Sequence, residues 1–354
     1  MVTMSTFRLR TRRLTIRPLA PRDIPDFVRY RNVDRVARFQ DWPLPYTTDM
    51  AIDLVDDVGR LGRPTPGSWI QLAIDHDQSL VGDLAVWLDH QGQLATIGYT
   101  VAADHQGHNY AVEAARAIVE WLFVDAKVHR ITATLDPRNL ASARVLERCG
   151  FGYNGTAPSS AFVRGEWTDD TRFSLLAPDW LTWRNRATGR PRTIEFAEVT
   201  ADNVRAVCAI EVAHSQRRFV SSPAESIANA AHPPVRDGVV VRPWYRAIVA
   251  DGDLAGFVML ALADDGHDTP VLWRLLVGTW FQRRGIARRA IGMIAEMLTE
   301  QRCDALDVSF VDEPGGPERF YAQLGFERTG VIDDDGEVWA RASLAEIRRR
   351  VPAT

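Results

Sequence analysis

Cysteine is scarce in this chain. Its 354 residues include three cysteines, Cys149, Cys208 and Cys303, which lie far apart and form no C-x-x-C pair. An odd number of widely spaced cysteines argues against a disulfide framework and against a zinc site, because both need paired or clustered thiols. We therefore expect no metal, and the cysteine pattern fits a reducing compartment.

Long apolar runs and a basic excess are also missing. No apolar segment approaches the ~20 residues that a membrane-spanning helix needs, and the charged N-terminus lacks the apolar stretch of a signal peptide. The formal net charge is -4 and the pI is about 6.1, so nucleic acid is not favoured as a main partner. We expect a cytoplasmic protein with no membrane or nucleic-acid partner.

The order of predicted elements repeats once along the chain. A length of 354 residues exceeds the size at which a single core usually stops growing. Gln106 and Gln282 each lie five residues after the end of a predicted strand, and Gly150 and Gly325, which should end helices, are 175 residues apart. Such agreement indicates duplication of a whole domain. The predicted organisation is a first domain over residues 1–178, a linker over 179–192 and a second domain over 193–354.

Each predicted domain mixes strands with helices. The first should hold an amphipathic helix from about residue 110 to 126 and short closing strands near 151–154 and 172–175. The second should contain a helix over 201–212, and a strand over 272–277 before a helix over 287–298. The segment between them is rich in Arg, Pro and Gly turn signals, which is why it is interpreted as a linker. The pattern predicts an α/β fold.

The most informative stretch is QRRGIA, residues 282–287, between a predicted strand and a predicted helix. Gly285 lets the backbone approach a ligand without a Cβ in the way. The first amides of a helix are unpaired and its N-terminus is partially positive, so this turn is suited to a pyrophosphate. Arg283 and Arg284 add positive charge at its mouth. Taken alone, the hexapeptide equally describes an ordinary strand–loop–helix turn with one glycine.

This hexapeptide resembles the acetyl-CoA motif of the GNAT superfamily, Q/R-x-x-G-x-G/A. The segment FYAQLGF, residues 320–326, lies on the next helix, as in that superfamily. The resemblance implies two tandem GNAT-type domains, each a mixed, mostly antiparallel twisted sheet flanked by helices, with acetyl-CoA as co-substrate. In GNAT enzymes the strand before the motif splays from its neighbour, and its backbone amides hold the cofactor arm and polarise the thioester carbonyl. The cofactor-binding residues implied in the second domain are Leu275, Val277, Gln282, Arg283, Arg284, Gly285, Ile286 and Ala287.

The same resemblance implies direct attack of an amine on the thioester in a ternary complex. Tyr321 matches the tyrosine that often protonates the departing thiolate, and a phenol with a pKa near 10 suits that task. The alternative for Tyr321 is a core aromatic on a helix that Gly325 ends. For the general base Glu211 and Glu225 are candidates; each could equally be a solvated charge on a helix, and a water chain could serve instead.

More narrowly, the second domain resembles bacterial diamine and polyamine N-acetyltransferases over residues 199–228, 272–277 and 320–330. This implies a small primary amine as acceptor: a polyamine, an amino sugar or an aminoglycoside-like molecule. Glu211, Glu225, Asp312 and Glu313 could meet a cationic substrate. The chain departs from that group at Gly278, where an acidic residue is common, and at Ala287, where many members have glycine.

The first domain resembles the GNAT branch that includes ribosomal-protein alanine N-acetyltransferases. The matching segments are LRTRRLTIRPLAPRD (residues 9–23), HQGHNYAVEA (105–114) and DPRNLASARVLERCGF (136–151). In that branch an asparagine contacts the cofactor arm and a nearby serine can act as the acid; Asn139 and Ser142 match them, and both could equally be helix-capping residues. Leu146 occupies the slot of Tyr321. The cofactor-binding residues implied here are Tyr99, Val101, Gln106, Gly107, His108, Asn109, Ala111 and Asn139.

The first motif departs from the pattern at one position. Asn109 stands where Gly285 stands in the second domain; asparagine tolerates left-handed backbone angles, but its side chain intrudes where a phosphate would lie. The first domain could therefore be a protein N-terminal acetyltransferase or a non-catalytic module that supports the second. Because a tandem pair can mimic a dimer internally, we expect a monomer.

Overall fold

The computed structural model describes residues 7–233, 235–236, 239–262 and 269–351. The chain divides into two compact units, Met1–Asn185 and Arg186–Thr354. Each unit has its own sheet and its own buried core. Among the described residues, no helix combines the length and apolar character that crossing a bilayer requires.

The first unit is built on an eight-stranded sheet. Its strands are β1 (Leu9–Arg10), β2 (Thr15–Pro18), β3 (Trp69–His76), β4 (Ser79–Leu88), β5 (Leu94–Val101), β6 (Arg130–Leu135), β7 (Gly152–Val163) and β8 (Glu166–Leu176). Its helices are α1 (Ile24–Arg31), α2 (Asp34–Ala37), α3 (Thr48–Leu61), α4 (Tyr110–Val124), α5 (Leu140–Glu147) and α6 (Ala177–Asn185). The order across the sheet is β1-β2-β3-β4-β5-β6-β8-β7, in which β5 and β6 are parallel neighbours.

The second unit has a seven-stranded sheet and a separate two-stranded ribbon. Its strands are β9 (Ile194–Ala197), β10 (Val235–Arg236), β11 (Val239–Val240), β12 (Arg242–Ala250), β13 (Asp253–Leu262), β14 (Val271–Val277), β15 (Ala305–Val311), β16 (Glu327–Ile332) and β17 (Glu337–Ser343). Its helices are α7 (Val204–Cys208), α8 (Pro223–Ala231), α9 (Ile286–Glu300), α10 (Glu318–Gln323) and α11 (Leu344–Arg350). The order is β16-β17-β15-β14-β13-β12-β9, in which β14 and β15 are parallel neighbours.

The two sheets share one topology. From β2 to β7 the first sheet has the same strand order as the second has from β9 to β16, and the parallel pair lies at the same place in both. In each unit the strand that begins the parallel pair leads to a long helix, α4 or α9, whose apolar face is buried against the sheet. The predicted fold class, two mixed and mostly antiparallel sheets flanked by helices, is confirmed.

Three predicted elements differ from the observed ones. The segment interpreted as a linker begins inside α6, because Trp180 is buried and packs 5.2 Å from the ring of Phe123. The helix predicted over 201–212 spans Val204–Cys208, so Glu211 follows the helix instead of lying on it. The closing strands of the first unit are much longer than predicted and form the hairpin of β7 and β8.

Candidate functional site: a splayed pair of parallel strands

The parallel strands of the second unit separate soon after they meet. β14 and β15 pair at Val271↔Asp307 and at Leu272↔Val308, while β14 stays paired with β13 as far as Val277. From residue 273 onward, one edge of β14 therefore has no strand partner among the described residues. Backbone N–H and C=O groups along such an edge can bind a ligand that enters the gap. β5 and β6 of the first unit separate in the same way after Thr96↔Thr132.

A β-bulge distinguishes β14 from its counterpart in the first unit. Leu272 lies opposite Leu260 and Arg274 lies opposite Met259, so Trp273 is the extra residue. The pairing of β4 with β5 runs without interruption. A bulge bends its strand and turns side chains in new directions, and bulges are frequent beside active sites. Here the bulge lies where β14 leaves β15.

The turn between β14 and α9 has the geometry of an anion site. Gly285 has φ 80° and ψ 5° and occupies the N-cap position of α9, with no side-chain capping bond. Arg283 also has a positive φ, of 62°. The first amides of the helix are thus left for a ligand, and glycine suits the left-handed conformation that exposes them. The role of the QRRGIA stretch in binding a pyrophosphate stays a prediction.

Two polar residues of that stretch have other partners. The Gln282 side-chain amide donates to the Val277 carbonyl oxygen at 2.9 Å and to Gln216 Oε1 at 2.7 Å, which fixes the strand end to the loop. Arg284 is only 6% exposed. Its Nε donates to the Gly189 carbonyl oxygen at 2.9 Å, and its Nη2 lies 3.4 Å from Asp251 Oδ2. The structure therefore does not bring the Arg284 guanidinium to the mouth of the turn.

A cavity of about 500 Å³ lies along β14 and is bounded by the start of α9 and by α10. This volume is within the usual range of small-molecule sites, about 300–1,000 Å³. The predicted residues that line it are Leu275, Val277, Gln282, Arg283, Gly285, Ile286, Ala287 and Tyr321. Arg288, in the first turn of α9, also lines it and was not predicted; its position three residues after Gly285 is the signal that could have revealed it.

Tyr321 lies at the cavity wall on α10 and is also part of the core. Its ring is stacked on Phe310, with centroids 5.8 Å apart, and meets Phe326 edge-on at 5.5 Å. Burial, together with the charge of Glu337, raises the pKa of the Tyr321 hydroxyl well above its usual value. The phenol therefore keeps its proton at neutral and mildly alkaline pH. Both interpretations of this residue, catalytic acid and core aromatic, fit its position.

The carboxylates considered as bases or as amine-binding groups lie outside the cavity lining. Glu211 is exposed and pairs with Arg217 at 2.9 Å. Glu225 accepts the Ser222 backbone N–H at 2.8 Å in a capping box, and that bond holds its pKa below the ordinary value. Asp312 and Glu313 form ion pairs with Arg328 and Arg218.

The first unit repeats the backbone of the turn. Asn109 is the N-cap of α4 with φ 62°, in the left-handed region that Gly285 also occupies, and Gly107 has φ 82°. Asn109 Oδ1 accepts a hydrogen bond from Arg148 Nη1 at 2.6 Å. The Gln106 side chain donates to the Val101 carbonyl oxygen at 3.2 Å, as Gln282 does to Val277. Two other predicted residues flank this turn: His108 stacks on Tyr110, and Ala111 lies in the first turn of α4.

Three further residues of the first unit are linked to one another. Asn139 is the N-cap of α5, and its side chain accepts from the Ser142 N–H at 3.2 Å, so its capping role is present. The Tyr99 hydroxyl donates to the Ser142 carbonyl oxygen at 2.8 Å, and the Ser142 hydroxyl donates to Tyr99 Oη at 3.0 Å. Burial raises the pKa of Tyr99. Leu146, in the slot of Tyr321, is 1% exposed.

Two glycines that were not predicted hold the neighbouring strand close to the splayed one. Gly256 on β13 lies opposite Val277, and Gly82 on β4 lies opposite Val101. A Cβ at Gly256 would collide with the Leu276 carbonyl oxygen, and one at Gly82 with that of Thr100. Both sites therefore need a residue without a Cβ. Their spacing of 174 residues is close to the 175 residues between Gly150 and Gly325 and could have identified them.

Comparisons with known proteins agree for both halves of the chain. Residues 13–152 match a family model described as acetyltransferase (GNAT) domain, and residues 221–326 match one described as acetyltransferase (GNAT) family. Together these matches cover more than half of the sequence. Within the described residues, no group of three or more His, Cys, Asp or Glu side chains is placed to hold a metal ion.

Individual relatives are similar over shorter stretches. The chain is 38% identical over 105 residues to the probable N-acetyltransferase YjcK of Bacillus subtilis, which is 29% of this chain and 58% of that protein. It is 32% identical over 88 residues to the ribosomal protein uS5-alanine N-acetyltransferase of Escherichia coli, which is 25% of this chain and 45% of that one. A spermidine N-acetyltransferase from Vibrio cholerae, solved with CoA and spermine, is 20% identical with a TM-score of 0.43, over 48% of this chain and 99% of that one.

Proposed function

Because this chain belongs to the GNAT acetyltransferase family, with one such domain in each half, we propose that it transfers an acetyl group from acetyl-CoA to a primary amine of a small molecule. We place the main site in the second domain. The observation that carries the proposal is the cavity of about 500 Å³, because it joins the Gly285 turn, the open edge of β14 and Tyr321 in one space.

The residues of the second domain have distinct roles in this proposal. The amides that begin α9 bind the pyrophosphate of acetyl-CoA, with Arg283 and Arg288 beside them. The open edge of β14 offers backbone N–H groups to the carbonyl oxygen as it gains negative charge. The amine nitrogen attacks the carbonyl carbon, the C–S bond breaks, and the departing thiolate takes the proton of Tyr321, which solvent then replaces.

The amine must also lose a proton. Among the described residues that line the cavity there is no carboxylate. Glu211, the predicted base, is exposed and paired with Arg217. We therefore propose that water carries this proton out of the site, which was one of the alternatives for the base.

The first domain allows a second candidate function. Its turn at Asn109 keeps the left-handed backbone of Gly285, which favours retained acyl-CoA binding and, by resemblance, acetylation of a protein N-terminus. Two observations argue against catalysis in the first domain. The buried Leu146 occupies the position equivalent to Tyr321, and the Ser142 hydroxyl donates a hydrogen bond to Tyr99. A non-catalytic supporting domain is the alternative.

Titration calorimetry with acetyl-CoA tests where the main site lies. We expect Gly285→Trp to remove one binding event from the wild-type total, because the indole would fill the turn. Asn109→Trp is the matched variant of the first domain. Gly285→Asn is the control for backbone strain, because Asn109 already adopts a similar φ, 62° against 80°.

Each outcome of this titration has a definite meaning. Two equivalents in wild type and one in Gly285→Trp mean that both domains bind acyl-CoA. One equivalent in wild type and none in Gly285→Trp mean that the first domain is degenerate. If Gly285→Trp binds like wild type, or if Asn109→Trp alone abolishes binding, the second-domain assignment is wrong.

A second prediction concerns the paired strands that support the site. Gly256→Ala should weaken acetyl-CoA binding about tenfold or more, since the added methyl group forces β13 away from β14 at Val277. Gly82→Ala makes the same change in the first domain and should leave acetylation of a small amine nearly unchanged. Acetyl-CoA Kd values and rates of CoA release measure both effects. Equal losses of acetylation in the two variants would contradict a main site in the second domain.

A further inference from the structure

Arg274 is a shielded cation at the point where β14 leaves β15. Its Nε is buried and has no hydrogen-bond partner, and its Nη1 donates to the Trp273 carbonyl oxygen at 2.7 Å. Among the described residues, Glu337 and Glu225 attract its guanidinium without forming an ion pair with it. A shielded charge without a counter-ion is unfavourable, because its lost hydration is not replaced.

The two carboxylates whose charges act on Arg274, Glu337 and Glu225, have other hydrogen-bond partners. Glu337 accepts the Ser309 hydroxyl at 2.6 Å, and Glu225 is held in the capping box of α8. Both favour the charged guanidinium, but burial outweighs them and lowers the Arg274 pKa. Among the described residues, therefore, no carboxylate pairs directly with this cation.

Arg274 faces space that a ligand can reach. It lines the cavity of about 500 Å³ and also a smaller one of about 90 Å³, whose lining includes Asp333, Asp335 and Glu337. Asp333 accepts hydrogen bonds from the backbone N–H groups of Asp335 and Glu337 and from Trp339 Nε1. The other arginines of the larger cavity, Arg283 and Arg288, lie at the start of α9, where the pyrophosphate is proposed. Arg274 instead lies on the strand that would bind the uncharged arm and acetyl group. An anionic group on the acceptor would supply the counter-ion that the described residues do not provide.

We propose that the acceptor amine carries a carboxylate and that the Arg274 guanidinium binds it. The planar fork of arginine matches the two oxygens of a carboxylate, and such charge-assisted pairs are among the strong hydrogen bonds. The inference rests on the proposed function and narrows its substrate class. The carboxylate is unchanged by the reaction: a C–N bond forms, the C–S bond breaks, and the amine proton leaves to water.

The first arm of the test needs no variant. Pairs of amines that differ by one carboxylate are compared as acceptors by CoA release: lysine with cadaverine, ornithine with putrescine, and serine with ethanolamine. We expect kcat/KM to be about 10- to 100-fold higher for the carboxylate-bearing member of at least one pair. A preference for the decarboxylated member in every pair overturns the inference and leaves the proposed function standing. No acetylation of any amine, with acetyl-CoA bound, refutes the proposed function itself.

The second arm assigns the preference to one side chain. Arg274→Gln should raise KM for the carboxylate-bearing amine about 10- to 100-fold, while its acetyl-CoA Kd and its kcat/KM for the decarboxylated partner stay near wild type. Arg274→Lys should restore part of the preference, because it keeps the charge without the fork. If Arg274→Gln lowers kcat/KM equally for both members of a pair, Arg274 does not recognise a carboxylate. Thermal unfolding of each variant verifies that the fold is retained.

Discussion

Replacement of Tyr321 by phenylalanine is expected to lower kcat about 100- to 10,000-fold, which is the range that a positioned general acid contributes. The variant lacks the proton that the departing thiolate takes, but it keeps the ring that packs against Phe310 and Phe326. Acetyl-CoA affinity and thermal stability should therefore stay close to wild type. Steady-state kinetics, calorimetry and thermal unfolding measure the three quantities separately.

The pH dependence of the wild-type enzyme checks the same role. Burial raises the pKa of Tyr321 above the ordinary value of 10.0. A raised pKa extends the protonated form of a phenol to higher pH, so the acid should remain competent through about pH 10. We expect kcat to show no fall between about pH 8 and pH 10 from loss of this proton. A decline with an apparent pKa inside that range would contradict a Tyr321 acid.

The control for this variant is Phe320, an aromatic neighbour without a hydroxyl that lines the same cavity. Its ring lies 5.4 Å from the Tyr321 ring. Phe320→Leu should change kcat only a few-fold, since it alters packing but removes no acid. If Tyr321→Phe keeps kcat within threefold of wild type, the residue is a core aromatic and the thiolate must take its proton from water.

The duplication could be predicted from sequence because it depends on backbone requirements that few residues meet. Gly150 and Gly325 both have φ 95°, a conformation that favours glycine. In each unit the next residue closes the helix by donating to the carbonyl oxygen five positions earlier, on Leu146 or Tyr321, at 3.1 and 3.2 Å. The same bonds show that these two residues occupy equivalent positions. The spacing of these glycines is therefore what made the duplication predictable from the sequence.

The details of the site depend on pairings that spacing does not reveal. The bulge at Trp273 and the early separation of β14 from β15 arise from the register of three strands. The direction of a side chain is equally hidden: Arg284 is adjacent to Arg283 in sequence, yet its guanidinium is buried beside Asp251, 33 residues earlier in the chain. Sequence reasoning located the turn correctly but could not tell which arginine faces the cavity.

The predicted helix boundaries are wrong where tertiary contacts override the periodicity of the sequence. The predicted helix over 201–212 ends at Cys208, and the Glu211 carbonyl oxygen accepts from both the N–H and the hydroxyl of Thr279, each at 3.0 Å. No element was predicted between residues 47 and 62, although α3 lies there with a Thr47 N-cap and a left-handed Gly62. Those two caps were available signals, and so was the i, i+4, i+7 spacing of the buried Ala51, Val55 and Val58.

The largest expected loss of stability follows from Arg17→Leu in the first domain. Arg17 donates two hydrogen bonds to Asp23, at 2.6 and 2.8 Å, and Nη2 donates to Asp75 at 2.9 Å. The side chains of Arg17, Asp23 and Asp75 are 7%, 4% and 10% exposed. Removing the cation leaves two buried carboxylates poorly compensated, which should cost about 3–5 kcal/mol of unfolding free energy. The cluster joins β2 to β3, so the effect should be confined to the first domain.

Differential scanning calorimetry of the full chain measures this loss. For a domain of this size each kcal/mol shifts Tm by roughly 2–4 °C, so the first-domain transition should fall by about 6–20 °C. Arg60→Leu is the control, because its pair with Asp57 is exposed and such pairs contribute at most about 1 kcal/mol. Replacing Arg17, Asp23 and Asp75 together by leucine should recover part of the stability, because no charge is then buried. The recovery should be incomplete, because the Ala20 and Gln78 backbone N–H groups lose their carboxylate acceptors. A first-domain shift no larger than that of Arg60→Leu would mean that the buried cluster contributes little to stability.

The same variant also tests where acetylation takes place. Small-amine acetylation that survives Arg17→Leu at a temperature where the first domain has unfolded would further support a main site in the second domain.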